Sequence, residues 1–251
     1  MDLGIAGKRA VVIGGSAGLG LSSAHALASE GVDLVLFARD AGRLDAARTD
    51  LGKHSVTVDV VPGDLKDREA VSRLRRDVVT SGGLDILVLN TPRPPSPMRD
   101  FLDEDDDERW NDAYTNQLHG ALNVLRELAP LFVDRGWGRL IAITSASVKQ
   151  PMPRHALSTI FRAGVQAALK HLVTELAPSG VTVNAVAPAT IMTPTFTSFH
   201  NLEARVAATP LGRFGTPEEL GGTVAFLASQ QAGFITGQIM QIDGGITTAL
   251  T

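Results

Sequence analysis

Glycines first suggest chemistry in this chain, in the run Ile13-Gly14-Gly15-Ser16-Ala17-Gly18-Leu19-Gly20. The run follows an apolar, β-branched stretch, Arg9–Ile13, and precedes a helical pattern, Leu21–Glu30. Glycine lets the backbone turn tightly and approach a pyrophosphate closely, and the helix N-terminus offers free N–H groups and positive dipole charge. A strand, glycine turn and helix in this order bind the phosphates of a dinucleotide. Gly14, Gly15, Ser16, Ala17, Gly18, Leu19 and Gly20 are therefore candidate cofactor contacts. An NAD site places a carboxylate about 20 positions on, for the ribose 2′-hydroxyl. The end of the second strand instead reads Phe37-Ala38-Arg39. An arginine clamps a 2′-phosphate, and Ser16 can add a hydroxyl, so the expected cofactor is NADP(H).

The elements that must position such a turn are legible as alternating patterns. Strands are expected at Arg9–Ile13, Leu34–Phe37, Val56–Val61, Ile86–Leu89, Arg139–Thr144, Val181–Val186 and Gln238–Ile242. Several are nearly continuous apolar runs, as in strands buried on both faces of a parallel sheet. Helices are expected at Leu21–Glu30, Asp67–Thr80, Asp105–Arg135, Ala156–Leu176 and Pro217–Ser229. Repeated β-α-β units imply an α/β fold: a doubly wound, mostly parallel Rossmann sheet of about seven strands with helices on both faces. No linker divides the chain, so residues 1–251 are expected to form one dinucleotide-binding domain.

Two stretches break the pattern, each after the carboxyl end of a strand, where open α/β sheets bind ligands. One is Thr91–Met98, too proline-rich for helix or central strand. The other runs from Ala189 to Thr209 and holds Met192, Phe196 and Phe199. Residues 91–100 and 189–209 are expected to be pocket wall and lid for a small-molecule substrate. The acidic run Asp103–Glu108 reads as a solvated helix start rather than a metal site.

Composition narrows the function classes. The formal net charge is −4, which gives no basic field for nucleic acid or anionic lipid. The chain has 0 cysteines, which removes disulfides, thiolate metal sites and cysteine nucleophiles together. No signal peptide or membrane-spanning run is visible, so a soluble, cytoplasmic protein is expected.

Over nearly its whole length the chain resembles the short-chain dehydrogenase/reductase family in its compact form. The glycine turn is similar to the family's T-G-x-x-x-G-x-G, with Ile13 in place of threonine. Asp64-Leu65 resembles the pair that contacts adenine, and Asn90 the last asparagine of N-N-A-G. Pro188-Ala189-Thr190-Ile191-Met192-Thr193 resembles the segment that receives the nicotinamide carboxamide, which implicates Ile191 and Thr193. Pro210–Leu220, Phe226–Ser229, Ile235–Gln238 and Asp243-Gly244-Gly245 look like the family's C-terminal third.

The resemblance breaks at the catalytic set. The family's serine corresponds to Ser145, but its Y-x-x-x-K pair is replaced by Ser158 and Arg162, and its helix-four asparagine by Gln117. Tyr114, the chain's 1 tyrosine, lies on helix four, so no shifted alignment restores the phenol. A phenol starts near pKa ~10, within reach of tuning, whereas a serine hydroxyl is far less acidic. The resemblance leaves Arg162 able to hold the nicotinamide ribose and stabilise an oxyanion, but not to relay protons. Ser145 and Ser158 can donate hydrogen bonds to a carbonyl. His155, Lys149 and a water relay are the candidate proton sources.

Two function classes follow. One is an NADPH-dependent reductase of a 3-oxoacyl-type or cyclic or aromatic ketone, with an altered proton donor. The other keeps the NADP site for isomerisation, dehydration, cyclisation or binding alone. The long helices Asp105–Arg135 and Ala156–Leu176 carry more apolar surface than one sheet face needs, and the resemblance implies that such helices pair across a two-fold axis. A homotetramer, or at least a homodimer, is expected.

Overall fold

The computed structural model describes residues 2–193 and 202–250. Its frame is a seven-stranded sheet: β1 (Arg9–Ile13), β2 (Asp33–Ala38), β3 (Val58–Pro62), β4 (Ile86–Asn90), β5 (Gly138–Ile143), β6 (Val181–Pro188) and β7 (Ile239–Ile242). The spatial order is β3-β2-β1-β4-β5-β6-β7, and every neighbouring pair is parallel. The doubly wound α/β sheet read from the sequence is the observed fold. Strand limits shift by a few residues. The third strand starts at Val58 rather than Val56, and Pro62 is tolerated because β3 is an edge strand.

The strands alternate between two apolar layers with the period of a pleated chain. Val11, Ile13, Val35, Phe37, Leu87 and Leu89 point to one layer. It is completed by α3 (Arg68–Thr80), α5 (Gly120–Leu128) and α6 (Ala156–Leu176). Ala10, Val12, Leu34, Leu36, Ile86 and Val88 point to the other. There they meet α1 (Gly18–Ser29), α2 (Ala41–Leu51) and α8 (Pro217–Ala228). Burial on both faces explains the unbroken apolar runs. Each fully buried Leu or Ile contributes roughly 1.5–3 kcal/mol.

Three expectations need correction. Helix α2 went unread in the sequence, although Asp40 caps it by accepting from Arg43 N and Leu44, Ala47 and Leu51 form its buried stripe. The single long helix expected over Asp105–Arg135 is broken into α4 (Asp107–Ala113), a π-helical stretch (Tyr114–His119), α5, and a 3-10 turn at Ala129–Phe132. Thr115 Oγ1 donates to Asn111 O and Asn116 Nδ2 to Asp112 O, so side chains compete for the carbonyls of the helical ladder. Proline at position 130 ends the run. The acidic run is not wholly solvated either. Glu104 is buried and grips Arg109 through two bonds of 2.8 Å, while Asp106 caps α4. A further short helix, α7 (Leu202–Ala207), lies in the stretch expected to be lid. Phe196 and Phe199 lie outside the described residues.

The strand order reverses between β1 and β4, which opens a crevice at their carboxyl ends. There the glycine turn folds directly onto Asn90. A Cβ on Gly14 would lie 2.9 Å from Asn90 Nδ2, and one on Gly20 would collide with Gly14 O. Gly20→Ala is expected to cost about 1–3 kcal/mol by overpacking and to weaken dinucleotide binding. Thermal unfolding with and without NADPH checks both; an unchanged midpoint and an unchanged ligand-induced shift contradict the packing.

Candidate active site

The crevice is a cleft of about 660 Å³, within the usual small-molecule range of roughly 300–1,000 Å³. Of the residues singled out in the sequence, Ala17, Gly18, Leu19, Asn90, Ser145, His155, Ser158, Arg162, Ile191 and Thr193 line it together. The loop after β4 supplies one wall, with Thr91, Pro92, Arg93, Pro94 and Met98. Gly14 and Gly20 lie beneath, against Asn90. The N-terminus of α1 opens here with Ala17 as a cap residue that makes no side-chain cap bond. Its first N–H groups are therefore available to an anion, and the glycine cradle leaves room for one, so these residues fit a dinucleotide pyrophosphate.

Ser158 and Arg162 stand one turn apart on α6, which brings both side chains to the same face of the helix. Arg162 Nη1 donates to Ser158 Oγ at 2.6 Å and Nη2 to Pro92 O at 3.3 Å. Its Nε is buried and has no partner. No described carboxylate pairs with this guanidinium. Burial, then the nearby Arg93 cation, pull its pKa down to about 10, so it remains charged at neutral pH. Arg139 on β5 makes the contrast. It too is buried, but Nε and Nη2 donate to Ser229 O and Nη1 to Gly138 O, and it stacks on Trp137 at 4.4 Å. Arg139 is satisfied within the core, while Arg162 presents an unspent donor beside the cleft.

Because Arg162 donates to Ser158 Oγ, the Ser158 hydroxyl proton is left to point elsewhere. The same charge makes that hydroxyl a stronger donor. Ser145 caps the 3-10 turn Ala146–Val148: its Oγ accepts from Ser147 N at 3.2 Å and lies 2.9 Å from Ser147 Oγ.

The structure places the other candidates differently. His155 is committed on both ring nitrogens. Pro153 O can only accept, so Nδ1 donates to it at 2.7 Å; Arg205 Nη2 can only donate, so Nε2 accepts from it at 3.1 Å. Burial lowers the His155 pKa, with the cations Arg205, Arg162 and Arg154 adding to the effect against the Pro153 bond. His155 is thus a neutral imidazole without a proton facing the cleft. Lys149 caps the 3-10 turn and does not line the cleft. Gln117 is fully buried on the π-helical stretch, behind the lining, with neither amide atom partnered. Tyr114 is exposed and packs near Phe161 and His119.

At the cofactor end, Arg39 is exposed beyond β2 and outside the lining, whereas Arg43 on α2 borders the cleft and pairs with Asp40 at 3.4 Å. Gly15 and Ser16 also lie outside the lining. Asp64 accepts from Lys66 N, and the Leu65 carbonyl accepts from Asn123 Nδ2; both residues sit beyond the cleft itself. On the opposite wall Arg93 Nη2 donates to Thr193 Oγ1 at 3.2 Å. The sequence reading missed Arg43, Arg93 and Arg205. Arg93 had a signal, since it sits inside the proline-rich loop; Arg43 needed α2 to be recognised first.

The family model described as enoyl-(acyl carrier protein) reductase matches residues 14–247. Nodulation protein G of Azospirillum brasilense is 33% identical over 95% of this chain and 98% of its own length. Gluconate 5-dehydrogenase of Gluconobacter oxydans is 31% identical over 98% of this chain and 97% of its own. The solved structure of L-sorbose reductase from Gluconobacter frateurii, complexed with NADPH and L-sorbose, superimposes with a TM-score of 0.90 at 32% identity and covers 100% of both chains. With its parallel sheet, its glycine turn and its cleft at the strand ends, this chain belongs to the short-chain dehydrogenase/reductase family of oxidoreductases.

Proposed function

We propose that this chain is an NADPH-dependent ketone reductase whose carbonyl is polarised by Ser145, Ser158 and Arg162 instead of by a tyrosine. The observation that carries this reading is the Arg162–Ser158 pair, a buried charge with an unspent donor beside a dinucleotide cradle. The sorbose reductase crystallised with NADPH, and the gluconate dehydrogenase, support carbonyl–alcohol interconversion here. The bound nicotinamide would supply a hydride.

This chain's own residues do the rest. Ala17, Gly18 and Leu19 offer backbone donors to the phosphates, and Arg39 or Arg43 meets the 2′-phosphate. Thr193, Ile191 and Arg162 would hold the nicotinamide end of the cofactor. Ser145 and Ser158 donate to the carbonyl oxygen as it gains negative charge, and Arg162 holds that charge through Ser158. None of the three gives up a proton readily, so water in the open cleft delivers it. The same reading takes residues 1–251 as one cytoplasmic domain that assembles as a homotetramer or homodimer.

Four measurements test this reading. NADPH is expected to bind more tightly than NADH in calorimetric titration, and Arg39→Ala with Arg43→Ala to narrow the gap; equal affinities in the parent protein refute the assignment. Ser145→Ala is expected to lower kcat by roughly 10²–10³-fold, as loss of an oxyanion donor does. The pH profile separates Arg162 from His155. The polarising charge of Arg162 is present below its pKa and lost above it, so kcat/KM should fall only as pH rises through about 10. A rate instead controlled by a step below the ordinary histidine range points to His155, whose pKa burial lowers. The variant Ser158→Tyr with Arg162→Lys separates the function classes. If the parent turns over no ketone with NADPH and this variant does, the natural protein does non-redox chemistry.

A further inference from the structure

The cleft is more cationic than dinucleotide binding requires. Arg43, Arg93, Arg162 and Arg205 line it, and no Asp or Glu is among the described lining residues. This stands against a chain whose net charge is −4. The cations are not all at the phosphate end. Arg43 borders the glycine turn, on α2. Arg205 belongs to the opposite flank: it reaches from α7 to His155 Nε2 at 3.1 Å and to Met152 Sδ at 3.9 Å, just before α6. Those contacts are to a neutral ring nitrogen and a thioether, and neither cancels its charge. No described carboxylate lies within ion-pair distance of it. Burial and the neighbouring Arg154 cation both disfavour its charged form, and no acid among the described residues compensates it. The glycine turn, α1 and Arg43 would hold a dinucleotide's phosphates, which leaves the Arg205 charge for another group.

We infer that the substrate is a carbonyl compound bearing an oxyanion, a carboxylate or a phosphate ester, whose charge is held by Arg205, with Arg93 adding to the field. His155 is then a positioning residue: with Nδ1 tied to Pro153 O, its Nε2 lone pair fixes the Arg205 fork over the cleft. An anion there orients the ketone so that its oxygen meets Ser145 and Ser158. The inference rests on the reductase reading for the fate of the carbonyl, but not for the charge.

The test is a set of matched pairs: levulinate against methyl levulinate, and dihydroxyacetone phosphate against dihydroxyacetone. The charged member of at least one pair is expected to have a kcat/KM about tenfold or more above its neutral partner, and the pair that shows it identifies carboxylate or phosphate. In Arg205→Gln that charged-over-neutral ratio is expected to collapse about tenfold, and Arg205→Lys to restore part of it. A merely structural Arg205 would lower both members alike. Equal rates within both pairs, or a ratio unmoved by Arg205→Gln, overturn the inference while the reductase reading stands. If no ketone is reduced, the reductase reading fails, and calorimetric titration of levulinate and dihydroxyacetone phosphate into the NADPH-saturated protein decides the anion site. Binding that Arg205→Gln abolishes upholds it, and absence of binding overturns it.

Discussion

The proposed site depends on one close approach, the glycine turn after β1 lying against Asn90 at the end of β4. The two strands are neighbours in the sheet, yet the chain leaves them towards opposite faces, α1 to one layer and the loop from Thr91 to the other side of the crevice. Side chains at Gly14 and Gly20 would close that opening. Their absence lets backbone meet ligand at the start of α1, where an uncapped helix end supplies donors and dipole charge. The two apolar layers frame the crevice, since the strand interiors beside it are buried on one face or the other. The loops that carry polar groups hang on the edge of this packed sheet.

In the proposed reading, a fixed charge stands on that edge where the family has a tunable acid. A tyrosine beside a lysine can lose a proton near neutral pH once its environment lowers its pKa. Serine beside arginine cannot. What the pair gains is directionality: Arg162 spends one donor on Ser158 and one on Pro92 O, so the guanidinium braces both α6 and the loop after β4. The cost is a buried cation with an orphaned Nε and no carboxylate, a burden that a protein retains where the charge serves a site. Arg139 shows that the same fold can bury an arginine fully satisfied when no site needs it.

How far the sequence alone reached follows from what kind of physics each feature rests on. The parallel sheet was legible because strands buried on both faces are apolar runs, and the glycine turn because its residues have no alternative use. Helix α2 was not read, since Leu44, Ala47 and Leu51 are a thin stripe among charged residues. The break at Tyr114–His119 was not read either, because it depends on side chains of Thr115 and Asn116 bonding backward, a local competition that periodicity does not register. Within the site, Ser145, Ser158 and Arg162 line one cleft. His155 had the right place and the wrong bonds: its proximity to Ser158 was readable, but its capture by Pro153 and Arg205 is a tertiary fact. Arg93 lies in a loop of no regular pattern and Arg205 on the short helix α7, and only the folded chain shows them facing one cleft.

The neutral state of His155 has a consequence for the whole electrostatic balance of the cleft. Were it charged, it would add a cation to a wall that already holds Arg205 and Arg162 and feels Arg154. Those three oppose its protonation, as burial does, and only the bond to Pro153 O favours it. The imidazole therefore serves as an acceptor that receives a hydrogen bond from Arg205 without neutralising it. A carboxylate in its place would cancel the Arg205 charge and leave nothing for a ligand; an apolar residue would leave the guanidinium without orientation. A neutral acceptor satisfies one donor of the fork and preserves the field of the rest, which is the condition for a cation that is both held in place and still attractive to an anion.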